Sequence, residues 1–152
     1  MPAPPRGKPP ASLARSLTYR LHLLHKVTDQ GTQQRYAQEL GMTLADGRCL
    51  ATIGAFGPLS VNELAEHSHL NKSQASRGAQ ALVEQGLVAK VDHPGDGRGV
   101  LLQLTAAGRR RWVRGMALID QRNADIVGCL GAAEQKALSD LLDRLIAHNR
   151  RS

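Results

Sequence analysis

Apolar residues recur near the start of the chain at the spacing of one helix face. Leu13, Leu17, Leu21, Leu24 and Val27 fall at intervals of three and four, which places them on a single stripe. This predicts a helix that opens at Ser12 and runs past Gly31 to about Leu40. Gly41 breaks it. Thr43 is placed to cap a second helix carrying Leu44, Leu50 and Ile53, which ends in the stop signals of Gly54-Ala55-Phe56-Gly57-Pro58.

Two short helices follow, each with its start written in the sequence. Ser60-Val61-Asn62-Glu63 has the form of a capping box, in which the serine side chain and the glutamate satisfy each other's backbone amides. Asn71-Lys72-Ser73-Gln74 repeats that logic after a turn at Ser68-His69-Leu70. Val61, Leu64 and Ala65 on the first short helix, and Ala75, Ala79, Leu82 and Val83 on the second, are the expected inward positions. The second ends at Gly86, a typical C-terminal glycine. Leu87–His93 and Gly99–Leu104 read as strands around a turn at Pro94-Gly95-Asp96-Gly97. Thr105 caps a long helix to about Val127, Gly128 and Gly131 flank a bend, and Leu138, Leu141, Leu142, Leu145 and Ile146 mark a last helix.

The fold class is therefore mainly α with a small β-hairpin wing. Helix, tight turn, helix and hairpin in direct succession describe a winged helix-turn-helix lobe over residues 41–104. Residues 12–40 and 105–152 supply helices whose apolar faces have no sheet to cover. A second copy of the chain is the economical partner for them, so these helices read as a dimerisation region. Trp112, Leu138, Leu142 and Leu145 are expected in its core rather than in a cofactor box.

Composition narrows the class. Hydrophobic residues make up 41%, enough for a globular core, but aromatics only 3%, so that core is aliphatic. Twenty Lys and Arg against thirteen Asp and Glu leave a net charge of +7, the balance of a protein with a polyanionic partner. Charge alone does not separate nucleic acid from a membrane surface. Cys49 and Cys129 are too few and too far apart for a disulfide framework or zinc knuckle, which points to a cytoplasmic chain with reduced thiols. No apolar run approaches the ~20 residues of a membrane span. Residues 1–11 are rich in Pro and basic side chains and read as a disordered arm rather than a secretory signal. No GxSxG, P-loop, GxGxxG or paired-carboxylate pattern is present, so no enzyme and no cofactor is expected. His22 and His25 share a helix face, but nothing completes a metal set around them.

Four segments resemble MarR-type regulators. Gly57-Pro58-Leu59-Ser60-Val61-Asn62-Glu63-Leu64-Ala65 is similar to the opening of their DNA-binding lobe, and Lys72-Ser73-Gln74-Ala75-Ser76-Arg77 to their recognition helix. Leu82-Val83-Glu84-Gln85-Gly86-Leu87-Val88 resembles the exit into the wing. Asp96-Gly97-Arg98, followed by Leu104-Thr105-Ala106-Ala107-Gly108, resembles the wing tip and the next helix. The likeness extends over residues 12–150 by element order. It implies a homodimer that straddles a palindromic operator on duplex DNA. It also implies repression relieved by a small molecule, often a phenolic or aromatic acid. Two departures stand out. Asp46-Gly47-Arg48 occupies the place where many members carry a pocket Trp, and the first helix lacks the early Cys of peroxide sensors.

The candidate DNA site centres on Ser73, Ser76, Arg77 and Gln80, opposite the buried side of the recognition-like helix, with Lys72 and Gln74 in its first turn. Short polar donors around an Arg suit major-groove base edges, though a solvated face has the same composition. Arg98 in the wing suits a minor groove, with Asp96 holding Arg98 or the loop backbone. Ser60 and Asn71 read as caps that also face a phosphate or, equally simply, as caps alone, with Lys72, Ser76 and Lys90 as further phosphate candidates. Arg109-Arg110-Arg111 and Arg114 read equally as a basic field beside DNA and as a solvated helix face. Tyr19, His22, Arg48 and Cys49 lie on the helices that border the family's effector cavity. There Arg48 suits an organic carboxylate, while local ion pairing of Arg48 and inert packing of Cys49 are the plainer readings. Two other functions fit the same pattern: a ligand-independent architectural DNA binder, and a winged-helix protein-interaction module.

Overall fold

The computed structural model describes residues 11–95 and 99–151. Its elements in order are α1 (Ala11–Ala14), α2 (Leu17–Leu40), α3 (Leu44–Phe56), α4 (Val61–Ser68), α5 (Lys72–Glu84), β1 (Val88–Asp92), β2 (Val100–Leu104), α6 (Ala106–Ile126) and α7 (Ala132–Arg150). The chain divides into two compact units, Met1–Met116 and Ala117–Ser152.

The expected first helix is interrupted. The Ser16 hydroxyl and amide both donate to the Leu13 carbonyl, at 2.8 and 3.0 Å. Ser16 itself turns extended (φ −71°, ψ 149°) and α2 starts after it. A serine offers the backbone this local alternative to the helical ladder. The other end is as expected: α2 closes at Leu40 with Gly41 left-handed at φ +62°.

Within the first unit, α3 is the central element. Thr43 caps it, its hydroxyl accepting from the Asp46 amide at 3.1 Å. Gly47, Cys49, Leu50, Thr52 and Ile53 are buried along it. Leu50 and Ile53 join Leu59, Leu64, Leu82 and Leu102 as the largest fully buried side chains. Burial of each such side chain contributes roughly 1.5–3 kcal/mol. Close approach to α3 uses small residues. The Tyr36 ring of α2 lies against Gly47, and the Trp112 ring of α6 lies against Gly54. Trp112 also donates its Nε1 proton to the Ala51 carbonyl at 3.1 Å. Trp112 is half-buried and seated on α3 of its own chain.

The wing is an antiparallel hairpin with Val88 opposite Leu104 and Asp92 opposite Val100. Leu59 adds a one-residue third strand, exchanging backbone hydrogen bonds with Leu102 at 3.1 and 2.7 Å. Thr105 joins wing to helix: its hydroxyl donates to the Gly86 carbonyl at 2.7 Å and accepts from the Gly108 amide at 3.0 Å.

In the second unit the bend runs from Val127 to Leu130, whose carbonyls both accept from the Gln135 side chain at 3.3 and 3.0 Å. Glu134 caps α7 by accepting from the Gly131 amide at 2.9 Å. No residue of α7 is buried. Leu138, Leu141, Leu142, Leu145 and Ile146 are exposed, as are Leu13, Leu17, Leu21, Leu24 and Val27 of the first unit. No described helix is long and apolar enough to cross a membrane.

Candidate nucleic-acid interface

Two reciprocal capping boxes set the ends of α4 and α5. The Ser60 hydroxyl accepts from the Glu63 amide at 3.1 Å while Glu63 accepts from the Ser60 amide at 3.2 Å. Asn71 and Gln74 do the same at 2.8 and 3.2 Å. His69 closes the turn between the helices in a left-handed conformation, φ +59° and ψ +24°. Each cap satisfies amides that a helix start otherwise leaves unpaired. The cap oxygens are engaged and the Ser60 hydroxyl also bonds the Glu63 carboxylate, while the Asn71 amide protons remain for a phosphate.

The fold then presents α5 with one face in and one face out. Ala75, Gly78, Ala79 and Leu82 are buried. Val83, expected inside, is half-buried, and Gly78 takes its share of the buried face. Gly78 has no side chain to mark it as apolar, and its place three residues after Ala75 is the signal the sequence carries for it. Lys72, Ser73, Gln74, Ser76, Arg77 and Gln80 are all exposed. Ser76 and Arg77 lie three and four residues after Ser73 and four and three before Gln80, so the four share a face. Among the described residues, Lys72 and Arg77 form no hydrogen bond or ion pair, leaving both cations available. Gln80 is different: it accepts from Lys90 Nζ at 3.2 Å and donates to Glu84 at 3.3 Å. Neither partner of Gln80 was expected from the sequence. Asp96 and Arg98 lie outside the described residues.

The basic run on α6 divides. Arg111 Nη1 donates to the Leu40 carbonyl at 2.8 Å and Arg114 Nη2 to the Glu39 carbonyl at 2.7 Å. These cations complement the negative C-terminal end of α2. Arg109 and Arg110 are exposed.

The four candidate effector residues differ in exposure and partners. Tyr19 and His22 are exposed on α2 and have no hydrogen-bond partner among the described residues. Arg48 Nη2 reaches both oxygens of Asp29, at 3.0 and 3.2 Å. Asp29 also pairs with His25 at 3.0 Å. Cys49 is fully buried against Gly78. Burial pushes its thiol up to about 12, and the nearby Asp46 charge adds to that, so it is packing and not a reactive thiolate. Burial also raises Asp46, against the Thr43 hydrogen bond, and Tyr36, against the Arg48 charge. Glu63 is lowered, first by the Ser60 amide and then by its hydroxyl, with His67 and His93 pulling the same way. Among the described residues, no three His, Cys, Asp or Glu are placed to hold a metal.

The arrangement matches known proteins. The family model described as MarR family matches residues 40–99, from the end of α2 to the start of the second wing strand. The chain is 29% identical over 106 residues to the HTH-type transcriptional repressor Rv2887 of Mycobacterium tuberculosis, covering 70% of this chain and 76% of that one. It is 30% identical over 96 residues to the HTH-type transcriptional regulator YxaD of Bacillus subtilis, covering 63% and 67%. The solved structure of Rv2887 in complex with salicylic acid superposes with a TM-score of 0.72 at 27% identity, over 86% of this chain and 96% of that one. A MarR family transcriptional regulator from Silicibacter pomeroyi gives 0.79 at 25% identity, over 99% and 100%.

Proposed function

The chain belongs to the MarR family of winged helix-turn-helix, DNA-binding transcriptional regulators, and from that premise we propose that it is a homodimeric repressor of a palindromic operator, released by a small organic acid. The observation that carries the reading is α5. Its inner face is locked into the core, and its outer face offers Ser73, Ser76, Arg77 and Gln80, with Arg77 unpaired among the described residues. A bidentate guanidinium on such a face is suited to the O6 and N7 of guanine. Lys72 and Asn71 position the lobe on phosphates, as does Ser60 once its hydroxyl turns from Glu63, Gln74 holds the start of the helix, and Arg98, held by Asp96, engages the minor groove.

The exposed leucines of α2 and α7 support the dimer, since one chain leaves them in water. Two lobes then place their α5 helices about 34–36 Å apart, one turn of duplex. For the effector, the support is that Rv2887 was solved with salicylic acid and with p-aminosalicylic acid. Here an acid meeting Arg48 has to displace Asp29. Tyr19 and His22 are the neighbouring α2 contacts in this reading, and Cys49 acts only through packing. The effector works by binding more tightly to a lobe spacing that misfits DNA. The protein works in the cytoplasm, without catalysis or cofactor.

The test is fluorescence anisotropy of the full chain on duplex DNA from upstream of its own gene and on a scrambled duplex, at two salt concentrations. Wild type should prefer its own DNA by roughly a thousandfold or more, and Arg77→Ala should lose about 1–3 kcal/mol of that preference. Equal binding of both duplexes with a steep salt slope replaces this reading with generic polyanion binding.

A further inference from the structure

We propose that Lys90 on β1 is a positioning residue for sequence discrimination, acting through Gln80 on α5; this rests on the groove-reading role given to that helix. Lys90 Nζ donates to Gln80 Oε1 at 3.2 Å, and Gln80 Nε2 donates to Glu84 Oε1 at 3.3 Å. All three residues are exposed. The row crosses from the wing to the last turn of the reading helix.

A primary amide has an accepting end and a donating end, and nothing in its shape tells them apart. Here the chemistry of its neighbours does. An ammonium only donates and an ionised carboxylate only accepts. The Gln80 carbonyl must therefore face the wing and its NH2 must face Glu84. Reversal would set N–H against ammonium and oxygen against carboxylate at both ends.

Locked this way, Gln80 still has one N–H and one oxygen lone pair uncommitted. That donor and acceptor now stand in a fixed order along the groove. A glutamine reads adenine by donating to N7 and accepting from N6–H2, so the order decides whether the base fits. Without Lys90 only the Glu84 carboxylate orders the amide, which then turns over more readily and tolerates a base offering the reverse pattern. Lys90 in this role differs from the phosphate donor expected from the sequence. A phosphate contact strengthens all sequences alike and steepens the salt dependence. A lock on Gln80 acts at one base pair.

The experiment enriches binding sites from a random duplex pool with the full-length wild type, Lys90→Met, Lys90→Arg, Glu84→Gln and Gln80→Ala. Anisotropy titrations follow on the enriched duplex and its single-base variants, across a salt series. Gln80→Ala should erase preference at one base pair. Lys90→Met should weaken that same preference by roughly tenfold, leave the other positions unchanged and leave the salt slope unchanged. Lys90→Arg should restore it, because a guanidinium also only donates, and Glu84→Gln should weaken it in part. If Lys90→Met weakens every duplex equally and lowers the slope by about one, Lys90 is a phosphate contact and the proposal is overturned. A wild-type motif that persists unchanged in Lys90→Met also overturns it. A wild-type chain that enriches no sequence removes the groove-reading role itself, and this proposal with it.

Discussion

Gly78 of α5 faces Cys49 of α3 so closely that a methyl group on it would stand 2.6 Å from the sulfur. The reading helix is seated at this point with no slack. Gly78→Ala gains roughly 1 kcal/mol of helix propensity, but overpacking costs about 1–3 kcal/mol. The expected net effect is destabilisation by about 1 kcal/mol, and a weaker hold on DNA as α5 is pushed outward. In a Cys49→Ala background the clash is gone, and Gly78→Ala should be neutral or stabilising. Urea denaturation of the four proteins measures the coupling; additive effects would show that the contact is loose.

The same burial makes the two thiols unequal. Cys129 is exposed, whereas the Cys49 thiol is pushed up to about 12. At pH 8 a maleimide or disulfide reagent should modify Cys129 rapidly in the folded protein. Cys49 should react only after denaturant is added. Mass spectrometry of the timed products reads this directly, and equal labelling of both would contradict the packing described.

Arg111 and Arg77 should separate stability from binding. Arg111 donates to a carbonyl at the end of α2, and hydrogen bonds from charged groups contribute about 1.5–3 kcal/mol. Arg111→Ala should lower stability by 1 kcal/mol or more and leave the salt slope of DNA binding unchanged. Arg77→Ala should do the reverse. Thermal unfolding and salt-dependent anisotropy on the same two variants decide the assignment.

His69 carries a positive φ of 59° that its side chain disfavours. Left-handed backbone costs a non-glycine residue roughly 1–2 kcal/mol. His69→Gly removes that strain and gives part of it back as unfolded-chain entropy. A gain of about half a kcal/mol is expected, seen as a higher unfolding midpoint. A lower midpoint would mean that the imidazole makes a compensating contact.

Glu63 gives a pH dependence with a definite sign. Its carboxyl is held below the ordinary value of 4.5, chiefly by the Ser60 amide. A lowered folded value stabilises the fold above pH 4.5, and that contribution disappears as pH falls through the folded value. Glu63→Gln keeps an oxygen for the Ser60 amide but has no charge to lose. The difference in Tm between wild type and Glu63→Gln should be constant near neutrality and shrink below pH 4.5. A constant difference down to pH 3 would assign it to packing instead.

Much of this molecule is legible in its sequence because its signals are local. The caps at Thr43, Ser60 and Asn71, the glycine end of α2 and the hairpin each depend on residues a few positions apart. The exposed face of α5 followed from the spacing of Ala75, Ala79 and Leu82. What was not legible depends on partners brought together by folding. Arg111 meets Leu40, Arg48 meets Asp29 and Gln80 meets Lys90, none of them within one turn of a shared helix. The Leu59 bridge is one residue long and has no periodicity to detect. The break at Ser16 escaped for the opposite reason. Its leucines keep their helical spacing across the break, while one hydroxyl redirects the backbone.

The seat of Trp112 on Gly54 has an experimental consequence. This is the sole tryptophan of the chain, and its indole is bonded to a carbonyl of α3, the helix that also packs against α5. The protein therefore carries its own tryptophan fluorophore at a single site on α6, seated against the helix that supports the reading face. Emission wavelength and quenching report the α3 environment without an added dye, in the same cuvette in which DNA or an organic acid is titrated.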